Sequence, residues 1–231
     1  MNSAKVEWRI RFHLPCALRL MTSKAANIAA LHPARRAGSD KQNEKKRELA
    51  LHTLSALAEV GFARINLRDI AARSGVSLGT IHYYFDDKTE LLSYCVRLYK
   101  DDFIGRLAER IESASTLDDL LEQFSDALVR AVDEDAHTHR LWYDIRAQAL
   151  FDEAFRPVVN DLEEQLTAIV GRFVEKVEAL GGGGIFSPAD PLSVYLMLDG
   201  WFRYCLQQRV AGDKRALTEW KRRLASLIRP H

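Results

Sequence analysis

Proline and glycine are scarce for a chain of 231 residues, six and twelve respectively, and several long segments contain neither. These are the residues that most strongly oppose helix, so their scarcity points to helix as the main element. No stretch reaches eighteen consecutive apolar residues, and no spanning helix is expected. Cysteine is sparser still. Cys16, Cys95 and Cys205 stand far apart, odd in number and without a CxxC pair. That excludes a disulfide framework and suits a reducing, cytoplasmic setting. The signatures of enzymes are missing too: there is no GxSxG and no HExxH. His137 and His139 are two apart and diverge on a helix, whereas a chelating pair sits four apart. Gly181 to Gly184 lack the Lys and Ser/Thr that a phosphate loop requires, and read as a flexible break. Catalytic residues, metal ligands and cofactors are therefore not expected.

Net charge is only +1, but its sign is unevenly spread. Residues 1–43 carry eight basic and two acidic side chains, residues 44–100 nine and seven, and residues 101–231 sixteen and twenty-three. A basic front and an acidic back suit a polyanion at one end and a different partner at the other. Residues 1–42 mix apolar and basic residues without a period, and Arg11, His13 and Arg19 interrupt any secretory signal. They read as a basic, disordered extension, as translation from upstream of a true start at Met21, or as an arm that lies along DNA.

Regularity begins at Glu44. Leu49, Leu54, Leu57 and Ala58 form one helical stripe, and Gly61 follows as its stop. Asn66-Leu67-Arg68-Asp69 has the spacing of a capping box and opens a short helix whose apolar face is Ile70 and Ala71. Gly75 permits a turn, and Ser77 caps a second short helix from Leu78 to Phe85. Ile81 and Phe85, four apart, face inward, which leaves Thr80, His82, Tyr83 and Tyr84 outward or at the rim. Two short helices about a glycine turn make a helix-turn-helix, whose second helix enters the major groove. Thr80 is small enough for close approach to base edges, and the two tyrosines offer hydroxyls to phosphate. Asp87-Lys88-Thr89-Glu90 is a further capping box. Lys88 opposes the helix dipole there, an arrangement that makes sense opposite a DNA phosphate.

This string closely resembles the TetR family of regulators: Gly61, Arg68-Asp69-Ile70-Ala71, Gly75-Val76-Ser77, Gly79-Thr80, Tyr84-Phe85 and Lys88 with Leu91-Leu92. The resemblance implies an all-α protein. A three-helix DNA-binding head (residues 43–103) would sit on a helical ligand-binding and dimerisation body (residues 104–231), with about nine helices in all. It implies a DNA-facing set of Arg68, Ser77, Leu78, Gly79, Thr80, His82, Tyr83, Tyr84 and Lys88. His82 departs from the family's usual tyrosine, and Leu78 from its frequent lysine or small residue.

In the body, Leu92, Val96, Tyr99, Phe103, Leu107 and Ile111 mark a long lever helix from Lys88 to about Glu112. Amphipathic stretches follow at residues 117–132, 141–145, 159–180, 192–210 and 217–228. The last two offer Leu196, Phe202, Leu217, Trp220, Leu224 and Leu227 to a dimeric four-helix seam. Leu141-Trp142, Ala147 to Asp152 and Asp199-Gly200 loosely resemble the branch of betaine-synthesis repressors. Phe103, Phe124, Trp142, Arg146, Phe173 and Trp201 are the candidates for a small-molecule pocket of aromatic walls and few polar anchors. Such walls could hold a quaternary ammonium, although aromatic residues at helical spacing are usually core. Asp199 and Arg203, four apart, read as a pair within one helix. The expectation is a homodimeric, cytoplasmic, nucleoid-associated regulator that binds double-stranded operator DNA and answers to an unknown small-molecule effector. The alternatives are the same fold without small-molecule sensing, and a helical enzyme.

Overall fold

A computed structural model describes residues 33–61, 65–183 and 190–228, all within the unit Pro33–His231. Nine α-helices and one short 3-10 turn lie among the described residues, and no strand does. They are α1 (Pro33–Val60), α2 (Leu67–Arg73), α3 (Leu78–Tyr84), α4 (Lys88–Ser113), α5 (Leu117–Glu134), α6 (Ala136–Gln148), α7 (Arg156–Ala179), α8 (Pro191–Val210) and α9 (Arg215–Ile228), with the 3-10 turn at Glu153–Phe155 between α6 and α7. The reading of residues 1–32 lies outside the described residues. Residues 33–42, expected in the extension, instead form the first turns of α1. No helix among the described residues is long and apolar enough to cross a membrane.

The start signals in the sequence act as caps. Asn66 Oδ1 accepts from the Asp69 N–H at 3.0 Å, Ser77 Oγ from Thr80 at 3.0 Å, and Asp87 Oδ1 from Glu90 at 2.8 Å. Each satisfies an N–H that the first helical turn leaves without an intrahelical partner, typically worth about 1 kcal/mol. Thr116 and Asp190 do the same for α5 and α8. Pro191 occupies the first position of α8, where its missing N–H costs nothing.

Gly181 to Gly183, the described part of the glycine run after α7, form a built stop rather than a flexible break, and Gly184 lies outside the described residues. Gly181 takes φ +78°, and the Gly182 N–H donates to the Val177 carbonyl at 2.9 Å. A Cβ on Gly182 would lie 2.6 Å from Val177 Cγ1 and 3.0 Å from the Val177 carbonyl oxygen, so a larger residue would force the end of α7 to shift. Gly183 then donates to the Ile228 carbonyl at 3.2 Å, fastening the end of α7 to the end of α9.

Helix α1 packs on α2 and on α4, and α2 on α3, while α4 runs without interruption into the body. There α4 lies against α5 and α7, α7 against α8, and α9 against α5 and α8. The interior between them is mainly apolar, with Lys100, Ser125 and His139 the buried polar residues of the body among those described. Phe124 of α5 and Phe173 of α7 stack at 3.9 Å between ring centroids, and both are fully buried.

Candidate nucleic-acid interface and body cavity

The second helix of the helix-turn-helix, α3, is anchored from one side only. Ile81 and Phe85 are each 1% exposed, whereas Tyr83 is 69% exposed. Gly79 and His82 are exposed, and Leu78, Thr80 and Tyr84 are half-buried at the rim. Two contiguous faces therefore divide the helix along its length, as the four-residue spacing of Ile81 and Phe85 requires. The Thr80 hydroxyl is held 2.9 Å from Ser77 Oγ, so its methyl group is the freer part. Tyr83 and Tyr84 pack edge to face at 4.9 Å. Gly75 takes φ +65° in the turn, a conformation that makes glycine necessary there.

Gly79 is different, since nothing in the chain demands it. A Cβ there would meet only Ser77 Oγ at 3.6 Å, ordinary van der Waals contact. Gly79→Ala should therefore leave stability unchanged or raise it by up to about 1 kcal/mol, the usual helix preference. The same methyl should weaken DNA binding if this surface is pressed against a duplex. Thermal melts paired with titration of selected DNA check both halves of that expectation.

Arg68 is exposed in the first turn of α2, and Lys88 is half-buried in the first turn of α4. Burial lowers the Lys88 pKa from its ordinary value. The sequence reading missed Lys46. Its ammonium reaches from α1 to Glu90 Oε1 of α4 at 2.8 Å and lies 4.7 Å from the Phe85 ring and 5.3 Å from that of Tyr94. Glu90 also accepts from the Asp86 N–H at 2.7 Å. One lysine thus joins α1, the end of α3 and the start of α4.

The pocket candidates in the body separate into two groups. Phe103 and Phe124 line an interior cavity of about 50 Å3 between α4, α5, α6, α7 and α8. Trp142 is buried beside it, and Phe173 backs Phe124 from behind without lining the space. Trp201 does not belong there. It is turned to the other side of α8, into a shallow groove with Leu196 and Tyr204. Arg146 is an ion-pair hub, its Nε 2.7 Å from Glu163 of α7 and its Nη1 2.7 Å from Asp199 of α8. Asp199 also accepts from the Tyr143 hydroxyl at 2.9 Å, so its partners come from α6 and the expected pairing with Arg203 is not made.

Lys100 was absent from the sequence reading, yet it sits 3% exposed on the cavity wall. Its Nζ lies 5.0 Å from the Trp142 ring, 5.2 Å from Phe103 and 5.6 Å from Tyr99. Burial pushes its pKa down to about 7, against the pull of Asp199 and Glu163. His139, wedged among Tyr99, Phe103 and Phe202, is driven well below the ordinary range by burial first and by Lys100 second. A signal existed: Lys100 follows Val96 by four and precedes Phe103 by three, on the apolar stripe of α4.

Four of the seam candidates are already spent inside the chain. Phe202, Leu217, Trp220 and Leu224 are each under 8% exposed in the single subunit, because α9 closes over α5 and α8. Leu196 remains exposed and Leu227 is half-buried.

Residues 52–95 match the family model of bacterial regulatory proteins, tetR family. The chain is 23% identical over 168 residues to the HTH-type transcriptional regulator PksA of Bacillus subtilis, covering 68% of this chain and 80% of that protein. It is 43% identical over 56 residues to the HTH-type transcriptional regulator BetI of Escherichia coli, a match spanning 24% of this chain and only 29% of BetI. The fold resembles the crystal structure of a TetR transcription regulator from Haloarcula marismortui, with a TM-score of 0.68 and 19% identity over 81% of this chain and all of that one.

Proposed function

We propose that this chain, which belongs to the tetR family of bacterial regulatory proteins and is a DNA-binding transcriptional regulator, works as a homodimeric repressor released from a pseudo-palindromic operator by a small molecule. The observation that carries the DNA half is the division of α3, with Ile81 and Phe85 buried behind and Gly79, His82 and Tyr83 presented in front. Each subunit places residues 78–84 in one of two successive major grooves, about 34–36 Å apart. Arg68 and Lys88 contact phosphate.

The dimer seam in this reading is the open side of α8. Leu192, Leu196 and Tyr204 are half exposed there, and Gly200 between them has open space where a side chain would stand. That stripe repeats every four residues, as a helix–helix seam requires. The effector binds in the body cavity and shifts α4, whose first turn carries Lys88 and whose middle carries Lys100. Its leverage is only its preference for one arrangement over the other, typically about 1–3 kcal/mol. A cavity rather than a filled core favours this reading over the same fold without sensing.

Selection of bound DNA from a random pool tests the proposal. Inverted half-sites support both binding and dimer symmetry, whereas sequences without symmetry contradict the dimer. Lys88→Ala should weaken all DNA sequences alike and reduce the salt slope of binding by about one unit. An unchanged slope in a salt titration removes Lys88 from the phosphate contacts.

A further inference from the structure

Among the described residues, the charges around the cavity are matched unevenly. Arg146 is met by Glu163 and Asp199, and Asp199 by Arg146 and Tyr143. The Lys100 ammonium has aromatic rings around it and no hydrogen bond or ion pair with a described residue. An ammonium carries three donors, and an unpaired buried charge is costly. The Tyr195 side chain lines the same cavity and is 4% exposed; its hydroxyl closes no hydrogen bond, with Glu163 the acceptor close by. The wall also carries Tyr143 and Asp199, which are bonded to each other and, through Asp199, to Arg146; the remainder is apolar and includes Phe103, Leu107, Phe124 and Phe202. Two unpaired donors on the wall of a mainly apolar cavity, with its one carboxylate already held by Arg146, describe the complement of an amphiphilic anion.

We propose that the body cavity binds a short aliphatic carboxylate, with its oxygens on Lys100 Nζ and Tyr195 Oη and its hydrocarbon against Phe103, Leu107, Phe124 and Val170. The volume of about 50 Å3 admits roughly three to five atoms of water size, which matches the three-carbon tail of butyrate once its carboxylate stands at the wall on Lys100 and Tyr195. Lys100 also decides against a quaternary ammonium. The rings of Tyr99, Phe103 and Trp142 form a cage that already holds a cation from the chain itself, and a second cation would be repelled. The assignment deepens the effector reading above and rests on it for its regulatory meaning, but the binding itself can be measured without DNA.

Calorimetric titration of the full chain at pH 7 with sodium butyrate, 1-butanol and tetramethylammonium chloride tests it. Butyrate should bind at least tenfold more tightly than butanol, tetramethylammonium should not bind, and Lys100→Met should lose at least tenfold in butyrate affinity while its far-ultraviolet spectrum stays helical. Equal binding of acid and alcohol, or retention of butyrate by the variant, overturns the carboxylate assignment. So does a preference for the cation, and in a further titration with sodium octanoate, binding of that longer acid alone overturns the size. Should the variant fail to fold, the acid-to-alcohol ratio of the unaltered protein decides alone. A gel shift with selected DNA runs in parallel. Butyrate that binds without releasing DNA leaves the cavity assignment standing and fells the release mechanism. Release by another compound, with no butyrate binding, does the reverse.

Discussion

Thr80→Trp should reduce binding to the selected DNA by on the order of 100-fold or more, about 2.7 kcal/mol, while the subunits still associate and melt within a few degrees of the parent. Thr80 stands at the rim of α3, half-buried, with its hydroxyl turned to the Ser77 cap. An indole there extends across the face that includes exposed Gly79 and Tyr83 and holds the helix away from the groove floor. Base-edge contacts require that floor, whereas phosphate contacts do not. The loss should therefore be largest for the preferred sequence, with residual, salt-sensitive binding to any duplex. Anisotropy titrations with preferred and scrambled DNA separate the two, and sedimentation reports the assembly. Undiminished binding would remove α3 from the groove. Collapse of the fold would make Thr80 a packing residue.

The second large effect concerns stability. Lys100→Met should make the protein more stable at pH 7 by a few kcal/mol, because methionine fills similar space without a buried amine. The Lys100 pKa is about 7 in the folded chain, against an ordinary 10.5. Between those values the unfolded chain holds the proton and the folded chain does not. Folding therefore becomes more favourable as pH rises through that window, by up to about 1.4 kcal/mol per unit. The advantage of the variant should be full below pH 7 and shrink steadily toward pH 9. Denaturant midpoints at several pH values from 7 upward, taken as the difference between the two proteins, isolate this group, because His139, which Lys100 also depresses, titrates below that window. The buried thiol of Cys95 and the hydroxyls of Tyr99, Tyr143 and Tyr195, all pushed upward, are common to both. A gap that does not change with pH would show that Lys100 keeps its ordinary ionisation when folded.

Local physics made the head legible before any coordinates. Asn66, Ser77 and Asp87 are capping residues because of what their short side chains can reach, and Gly75 is a turn because of the φ it tolerates. None of this needs distant residues. The body resisted for the converse reason. Helix α8 is apolar on several sides, and only the packed fold shows that Leu198 and Phe202 face inward while Leu192 and Leu196 face out. Trp201 sits one position from Phe202, a rotation of about 100° that carries it to a different groove. Asp199 has a plausible partner four residues on, but the one it takes, Arg146, is 53 residues earlier in the chain. Lys100 was passed over because charged residues are almost never fully buried. That rarity is why its burial is informative.

The bridge made by Lys46 bears on how such heads could be exchanged between regulators. Lys46 couples α1 to Glu90, Glu90 ties back to Asp86, and the rings of Phe85 and Tyr94 pack edge to face at 5.6 Å beneath the same ammonium. The seam visible in the chain trace, the bend at Asp86–Asp87 before α4, thus cuts through a single mechanical joint. A chimaera spliced there would pair one regulator's lysine with another's carboxylate. A splice placed inside α4, beyond Tyr94, transplants the joint whole and lets the grafted head inherit the swing of its new lever.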